Sequence, residues 1–252
     1  MTGAGSSAGP SRNHPAVLRA RVALATYTLA ALCLVTGTAL AARAYPQGFD
    51  WVYSVMSSLA SLKHNPRGAR WFSLALALAM VLLWPLTVAL RSDGPMQRRL
   101  ARFSVGALRF GLVFGMLMGL ERAVFFHASS VVDKSHEVLA LLCFGGLYLG
   151  AMSQCLLRMQ ISKPARRWLP ALLLAQLLIV GLVQLILYLT QRELGWVGRD
   201  WRALGIAPWQ SFAFWQWLAG GALLVALGCF AAEPAAGAGS AASGKLSVGA
   251  RR

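Results

Sequence analysis

Six stretches of the chain are apolar almost without interruption, and the charges gather in the segments between them. They fall at about Val22–Ala42, Trp71–Leu90, Phe103–Phe126, Val138–Leu157, Leu169–Thr190 and Trp209–Phe230. A helix crosses a hydrocarbon core with ~20 mainly apolar residues. Lipid offers no partner to backbone N–H and C=O groups, so a spanning segment must satisfy them internally. Nothing in the chain alternates as a barrel strand does. The pattern therefore predicts an all-α, polytopic membrane bundle of six transmembrane helices over residues 16–231. Residues 1–15 and 232–252, rich in Gly, Ala, Ser and Pro, read as disordered cytoplasmic tails. The first apolar run is about 20 residues long, whereas signal-peptide cores run ~7–15, so it reads as a retained anchor.

Composition agrees with the pattern. Of 252 residues, 57% are hydrophobic and 13% charged. Soluble domains carry roughly 25% charged residues, so a water-soluble globule is excluded. The formal charge of +16 would suggest nucleic acid only if the basic residues shared one accessible face. Here they lie between apolar runs. The two tails and the second and fourth loops hold 14 basic residues against two acids, while the odd-numbered loops hold nine against six. By the positive-inside rule both termini are cytoplasmic. Cys33, Cys143, Cys155 and Cys229 fall inside spans and imply no disulfide framework.

Within the spans, Gly111, Gly115 and Gly119 form an uninterrupted GxxxGxxxG, and Gly146 and Gly150 repeat it in the fourth span. Glycines four apart let a second helix backbone approach closely. Packing of span three on span four is preferred over helix-mediated self-association through Gly111, Gly115 and Gly119. Ser153, Gln154, Gln176, Gln184 and Tyr188 are expected to make interhelical hydrogen bonds, a polar path being the alternative. No span carries the row of charges an ion path needs. Arg109 is expected to snorkel to the boundary, and the tryptophans to form an interfacial belt.

Two external loops carry the candidate chemistry. In the first, Asp50 can cap a short interfacial helix, WVYSVMSSLASLK, with Val52, Val55, Met56, Leu59 and Leu62 on an apolar face. Ser54, Ser57, Ser58 and Ser61 make its hydroxyl face, and Asn65-Pro66 would cap and start span two. Around the third loop lie Glu121, Arg122, His127, Asp133, His136 and Glu137. Asp133 and Glu137 suit the positive end of the fourth helix. His64, His127 and His136 share this side of the membrane and are the candidate zinc ligands, though their spacing matches no metal motif. Ser57, Ser58, Asp133 and Glu137 are the catalytic candidates for such a site, and no cofactor is otherwise predicted.

The run from Ser54 through Asn65-Pro66 to Trp71-Phe72 has a serine-rich start, an Asn-Pro and an aromatic opening span two. Together with Phe125-Phe126, Asp133, His136 and the small-residue-rich helix that follows, it resembles the bacterial six-helix family catalogued as domain of unknown function 998. More distantly it is similar to the DRAM/Frag/Sfk group of membrane proteins. One departure is that Phe126-His127-Ala128 stands where the pattern has Phe-Pro-x-Asp. The resemblance implies a fold and a membrane address but no reaction. The expectation is an inner-membrane protein with a lipid- or envelope-related role, whose partner is membrane lipid and not nucleic acid. A metal-dependent lipid hydrolase or transferase, and a small-solute transporter using Gln176, Gln184 and Tyr188, are the alternatives.

Overall fold

A computed structural model describes residues 14–90, 98–124, 135–195 and 201–248, the last segment with side chains to Glu233. The helices are α1 (His14–Arg43), α2 (Met56–Leu59), α3 (Ala69–Leu82), α4 (Trp84–Ala89), α5 (Arg98–Val124), α6 (Ser135–Ile161), α7 (Trp168–Glu193) and α8 (Phe212–Val248). Short 3-10 turns cover Pro164–Arg166 and Pro208–Gln210, and no strand occurs among the described residues. Six segments are long and apolar enough to cross a membrane, from Pro15–Arg43 to Phe212–Glu233, with α3 and α4 together making the second. The chain is thus the six-span, all-α bundle that the apolar pattern predicts.

Two local differences have evident causes. The second span is interrupted at Leu83 because Pro85 has no N–H to give the preceding turn. The last span starts at Phe212, not Trp209. Pro208 opens a 3-10 turn there, and Ser211 is extended at φ −77° and ψ 124°, with its Oγ donating to the Val52 carbonyl at 2.8 Å. The backbone of α8 also enters the segment expected to be disordered, as far as Val248.

Neighbouring spans pack in chain order into a closed ring: α1 on α3, α3 on α5, α5 on α6, α6 on α7, α7 on α8, and α8 back on α1. One end of the ring collects the C-termini of α1, α5 and α7. The connections 44–68 and, in its described part, 201–211 meet above it, and this is called the roofed end below.

Glycine sets how closely three of these helices approach. A Cβ on Gly111 would lie 2.6 Å from the Leu147 amide nitrogen, and one on Gly146 2.6 Å from the Gly111 nitrogen. Gly119 meets α3 in the same way, at 2.6 Å from the Ser73 carbonyl. The GxxxGxxxG stripe is therefore taken up within the chain, against α6 at one end and α3 at the other. Polar ties cross the same interfaces. Gln154 Nε2 donates to Ser104 Oγ at 2.5 Å. Arg109 does not simply snorkel: its Nε donates to Thr87 Oγ1 at 3.0 Å and its guanidinium lies 5.2 Å from the Trp84 ring centre. At the far end Arg158 pairs with Glu233 and donates to the Phe230 carbonyl at 3.2 Å, which joins α6 to α8.

The adjacent pair Gly145 and Gly146 tests this packing. A Cβ on Gly145 meets nothing within 4 Å. Gly145→Ala should stabilise the protein by up to about 1 kcal/mol through helix propensity. Gly146→Ala should destabilise it by about 1–3 kcal/mol, because the α5 backbone has to move. Denaturant unfolding in micelles reads both; equal midpoints for the two variants would contradict the close approach.

Candidate functional site

The roof is built by the first and last connections of this end, tied to each other. Asp50 Oδ1 accepts the N–H groups of Val52 at 3.0 Å and Tyr53 at 3.3 Å, which closes a tight turn. The chain then leaves helical geometry at Val55, φ −65° and ψ 150°, and makes a single helical turn at α2. The longer helix expected over this loop does not form because its groups are used elsewhere. Tyr53 Oη donates to the Ile206 carbonyl at 2.8 Å, Trp217 Nε1 to the Ser54 carbonyl at 3.2 Å, and the Met56 amide to Gln216 Oε1 at 2.8 Å. Arg202 Nη2 reaches Asp50 Oδ2 at 2.6 Å, and Trp201, Ile206 and Ala213 form a small separate core with Tyr53 and Val55.

Asn65 fastens the roof to the bundle. It is fully buried. Its Nδ2 donates to the carbonyls of Ala41 at 2.9 Å and Leu59 at 3.2 Å, while its Oδ1 accepts the Gly68 N–H at 3.0 Å. Asn65 therefore does more than the helix cap expected of it: it joins the ends of α1, α2 and α3, and α3 itself begins at Ala69.

Beneath the roof is a cavity of about 420 Å³, within the roughly 300–1,000 Å³ of small-molecule sites. Its walls come from α1, α3, α5, α6 and α8, and no residue of α7 contributes. Phe72 to Leu83, His136 to Leu147 and Gln216 to Leu227 mark its extent on three helices. At ~1.5 Å per residue each stretch rises about 16 Å. That is close to half of a ~30 Å hydrocarbon core, the depth of one leaflet. The lining is apolar along most of this depth. Thr38, Ser57, His136 and Gln216 supply polar side chains toward the roofed end, beside Trp51 and Trp217, whose ring centres are 5.0 Å apart, and the fully buried Ser73 lies in the same wall.

The cavity opens sideways between α1 and α8. Toward the far end these helices touch: Tyr27 Oη donates to the Leu224 carbonyl at 2.8 Å, and its ring lies against Gly228. Nearer the roof they do not close. Val35, Ala39 and Gly221 line the cavity and are also exposed, and a Cβ on Gly221 would meet nothing within 4 Å.

The candidates read from the sequence separate on this geometry. Ser57 and His136 both line the cavity. Ser58 Oγ instead donates to the Val55 carbonyl at 2.7 Å. His64 is exposed, its Nδ1 3.1 Å from Ser61 Oγ, and Glu137 is exposed in the first turn of α6. His127 and Asp133 lie outside the described residues, among which no three His, Cys, Asp or Glu side chains are grouped to hold a metal ion. Arg122 Nε donates to His136 Nδ1 at 3.4 Å, and Ser135 donates to Glu121 Oε1. Gln176, Gln184 and Tyr188 are absent from the cavity wall, and Tyr188 packs on Phe212 with ring centres 5.6 Å apart.

Three contributors carried no sequence signal. Ser73 and Gln216 are single polar residues without a motif, and Gly220-Gly221 lacks the four-residue spacing of a packing stripe. Ser73 stands out chemically. It is 1% exposed and its Oγ has no hydrogen-bond partner. A helical serine can bond to the carbonyl four residues earlier; here it does not, at a cost of about 1–3 kcal/mol for an unsatisfied buried hydroxyl.

The fold and cavity define a multi-pass membrane bundle with a roofed, side-opening apolar chamber. No family model, curated protein or solved structure matches the chain.

Replacing Asn65 tests the roof. Asn65→Ala removes three hydrogen bonds and leaves the Gly68 N–H buried without this partner. About 2–4 kcal/mol of stability should be lost, at roughly 1 kcal/mol per bond plus desolvation. Hydrogen exchange over 44–68 should rise well above that of α5 and α6. Uniform exchange across all three segments would show that Asn65 does not hold the roof.

Proposed function

We propose that this chain is an integral protein of a bacterial inner (cytoplasmic) membrane that holds the acyl chain of a membrane lipid in its bundle, in a lipid- or envelope-related role. The observation that carries this reading is the apolar cavity opening sideways between α1 and α8. A solute taken from water needs an aqueous mouth and polar walls, whereas this chamber opens onto the lipid-facing side of two spanning helices. Its depth of about 16 Å suits one leaflet's chain, given a core of ~30 Å.

Charge supports the orientation. Arg158, Lys163, Arg166 and Arg167 cluster at the far end, which by the positive-inside rule lies in the cytoplasm with both termini. The roof then faces outward, and the cavity occupies the outer-leaflet half. Lys63 in the roof and Lys163 at the far end are both exposed. In intact spheroplasts Lys63→Cys should react with a membrane-impermeant maleimide and Lys163→Cys only after permeabilisation. The reverse pattern would invert the orientation.

Occupancy has its own test. Native mass spectrometry of the full-length chain, released gently from micelles, should show bound lipid. Gly221→Phe places a ring in the opening without crowding at its own Cβ. Overpacking of ~1–3 kcal/mol against the ligand should reduce bound lipid by roughly tenfold, with the unfolding midpoint nearly unchanged. Equal lipid content in the two proteins would remove the reading.

A further inference from the structure

We propose that Leu83, Leu147 and Leu227 form the floor of the cavity and measure the acyl chain it holds, so that the protein selects lipids by chain length. This rests on the lipid-holding reading above and names the part of the lipid on which selection acts.

A second void places the floor. Leu83, Leu147 and Leu227 line the cavity, and the same three leucines line a void of about 10 Å³. Leu86, Thr87, Leu108 and Leu112 complete the wall of that void. The register of the helices puts it directly beneath the cavity. Along the second span the cavity wall ends at Leu83, and the void carries on to Thr87. On α5, which runs the opposite way, Gly119 and Met118 line the cavity, and Leu112 and Leu108 line the void. Leu147 of α6 and Leu227 of α8 are the deepest cavity residues of their helices and the ones that reach the void. The three leucines are therefore the partition between the two spaces. All three are buried in the main core, whose close packing lets them yield little.

The void offers a chain no continuation. It is no larger than a single water. Thr87, its polar side chain among the described residues, is already satisfied: Oγ1 donates to the Trp84 carbonyl at 2.8 Å and accepts from Arg109 Nε at 3.0 Å. Sideways escape is closed at the same level. Tyr27 Oη holds the Leu224 carbonyl, and its ring lies against Gly228, the residue after Leu227. At the other end, Trp51 and Trp217 stand where aromatic side chains mark the membrane boundary. A polar headgroup stops there, because carrying it into an apolar chamber costs its hydration. The chain is thus confined between two stops about 16 Å apart. An extended chain advances about 1.25 Å per carbon, from C–C bonds of ~1.52 Å at ~111°. Roughly 13 carbons fill the distance.

The test is competition among equimolar lauroyl, myristoyl, palmitoyl and stearoyl lysophosphatidylglycerol for the full-length protein in maltoside micelles. Native mass spectrometry reads which lipids are bound. The headgroup is constant and the micelle takes up all four chains, so the bound ratio reports the cavity. Lauroyl or myristoyl should dominate, with stearoyl about tenfold lower because it has to displace the floor. Leu227→Ala removes an isopropyl group and joins the cavity to the void, so the preferred chain should lengthen by about two carbons or more. Leu83→Ala, on a different helix, should shift it the same way. Leu112→Ala enlarges the void from beyond the floor; it should lower the unfolding midpoint and leave the preferred length unchanged. Equal occupancy by all four chains in the wild-type protein, or a preference that rises to stearoyl, overturns the floor while leaving lipid holding intact, and this result requires no variant to fold. A preferred length that neither floor variant moves, or that Leu112→Ala moves as far, overturns it as well. Binding of none of the four lipids overturns the lipid-holding reading itself.

Discussion

Helices surrounded by hydrocarbon gain nothing from hiding apolar side chains, so close backbone approach has to hold them together. In this bundle that approach is made by glycine. Gly111, Gly146 and Gly119 draw α3, α5 and α6 into contact, with amide and carbonyl atoms where a Cβ would sit. Gly37 does the same for α1 against α3, and Gly228 receives the Tyr27 ring from α1. Gly220 meets only the tip of Met56 and Gly221 meets nothing. Val35 and Ala39 of α1 and Gly221 of α8, which line the cavity and are exposed, lie at this seam.

The roof compensates at that seam. α1 and α8 part near it, yet their ends are held by hydrogen bonds through the first connection. Asn65 binds the Ala41 carbonyl at the end of α1, while Gln216, Trp217 and Ser211 of the last connection and α8 bind Met56, Ser54 and Val52. These bonds lie over the mouth of an apolar chamber, partly shielded from water, where each is worth more than on an open surface. The surface ion pair of Arg202 and Asp50 adds little by comparison, since the arginine is largely exposed. Fixed helix ends with a separated middle make a lateral opening that does not require the bundle to come apart.

How much of this could be read from the chain depends on the range of the interactions involved. Spans are one-dimensional: apolar length decides them, and Pro85 and Pro208 account for the local departures. The intramolecular use of Gly111, Gly115 and Gly119 was also legible, because four-residue spacing places them on one helix face. The roof was not. Asp50, the four serines and the apolar positions of 51–63 fit a helix by periodicity, but their hydrogen bonds go to Ile206, Gln216 and Trp217, more than 150 residues away. No local pattern encodes that competition. Ser73 was invisible for the opposite reason: one small polar residue in a helix usually satisfies itself, and only the three-dimensional packing reveals that it does not.

The histidines show the same limit from the side of chemistry. Reading them by topology alone placed His64, His127 and His136 together, because all three lie on one side of the membrane. Side-chain environment divides them more finely. His64 is exposed and paired with Ser61 one turn away, and contributes nothing to the chamber. His136 lies at the start of α6, where the Arg122 donor determines its tautomer and the cavity receives its other face. An imidazole whose Nδ1 already accepts from a guanidinium is a poor starting point for a metal ligand at that nitrogen, since metal binding needs the same lone pair. The same arrangement makes it a good neutral donor. Its neighbour Arg122 stands fourteen residues earlier in the chain, and the antiparallel packing of α5 and α6 brings it alongside.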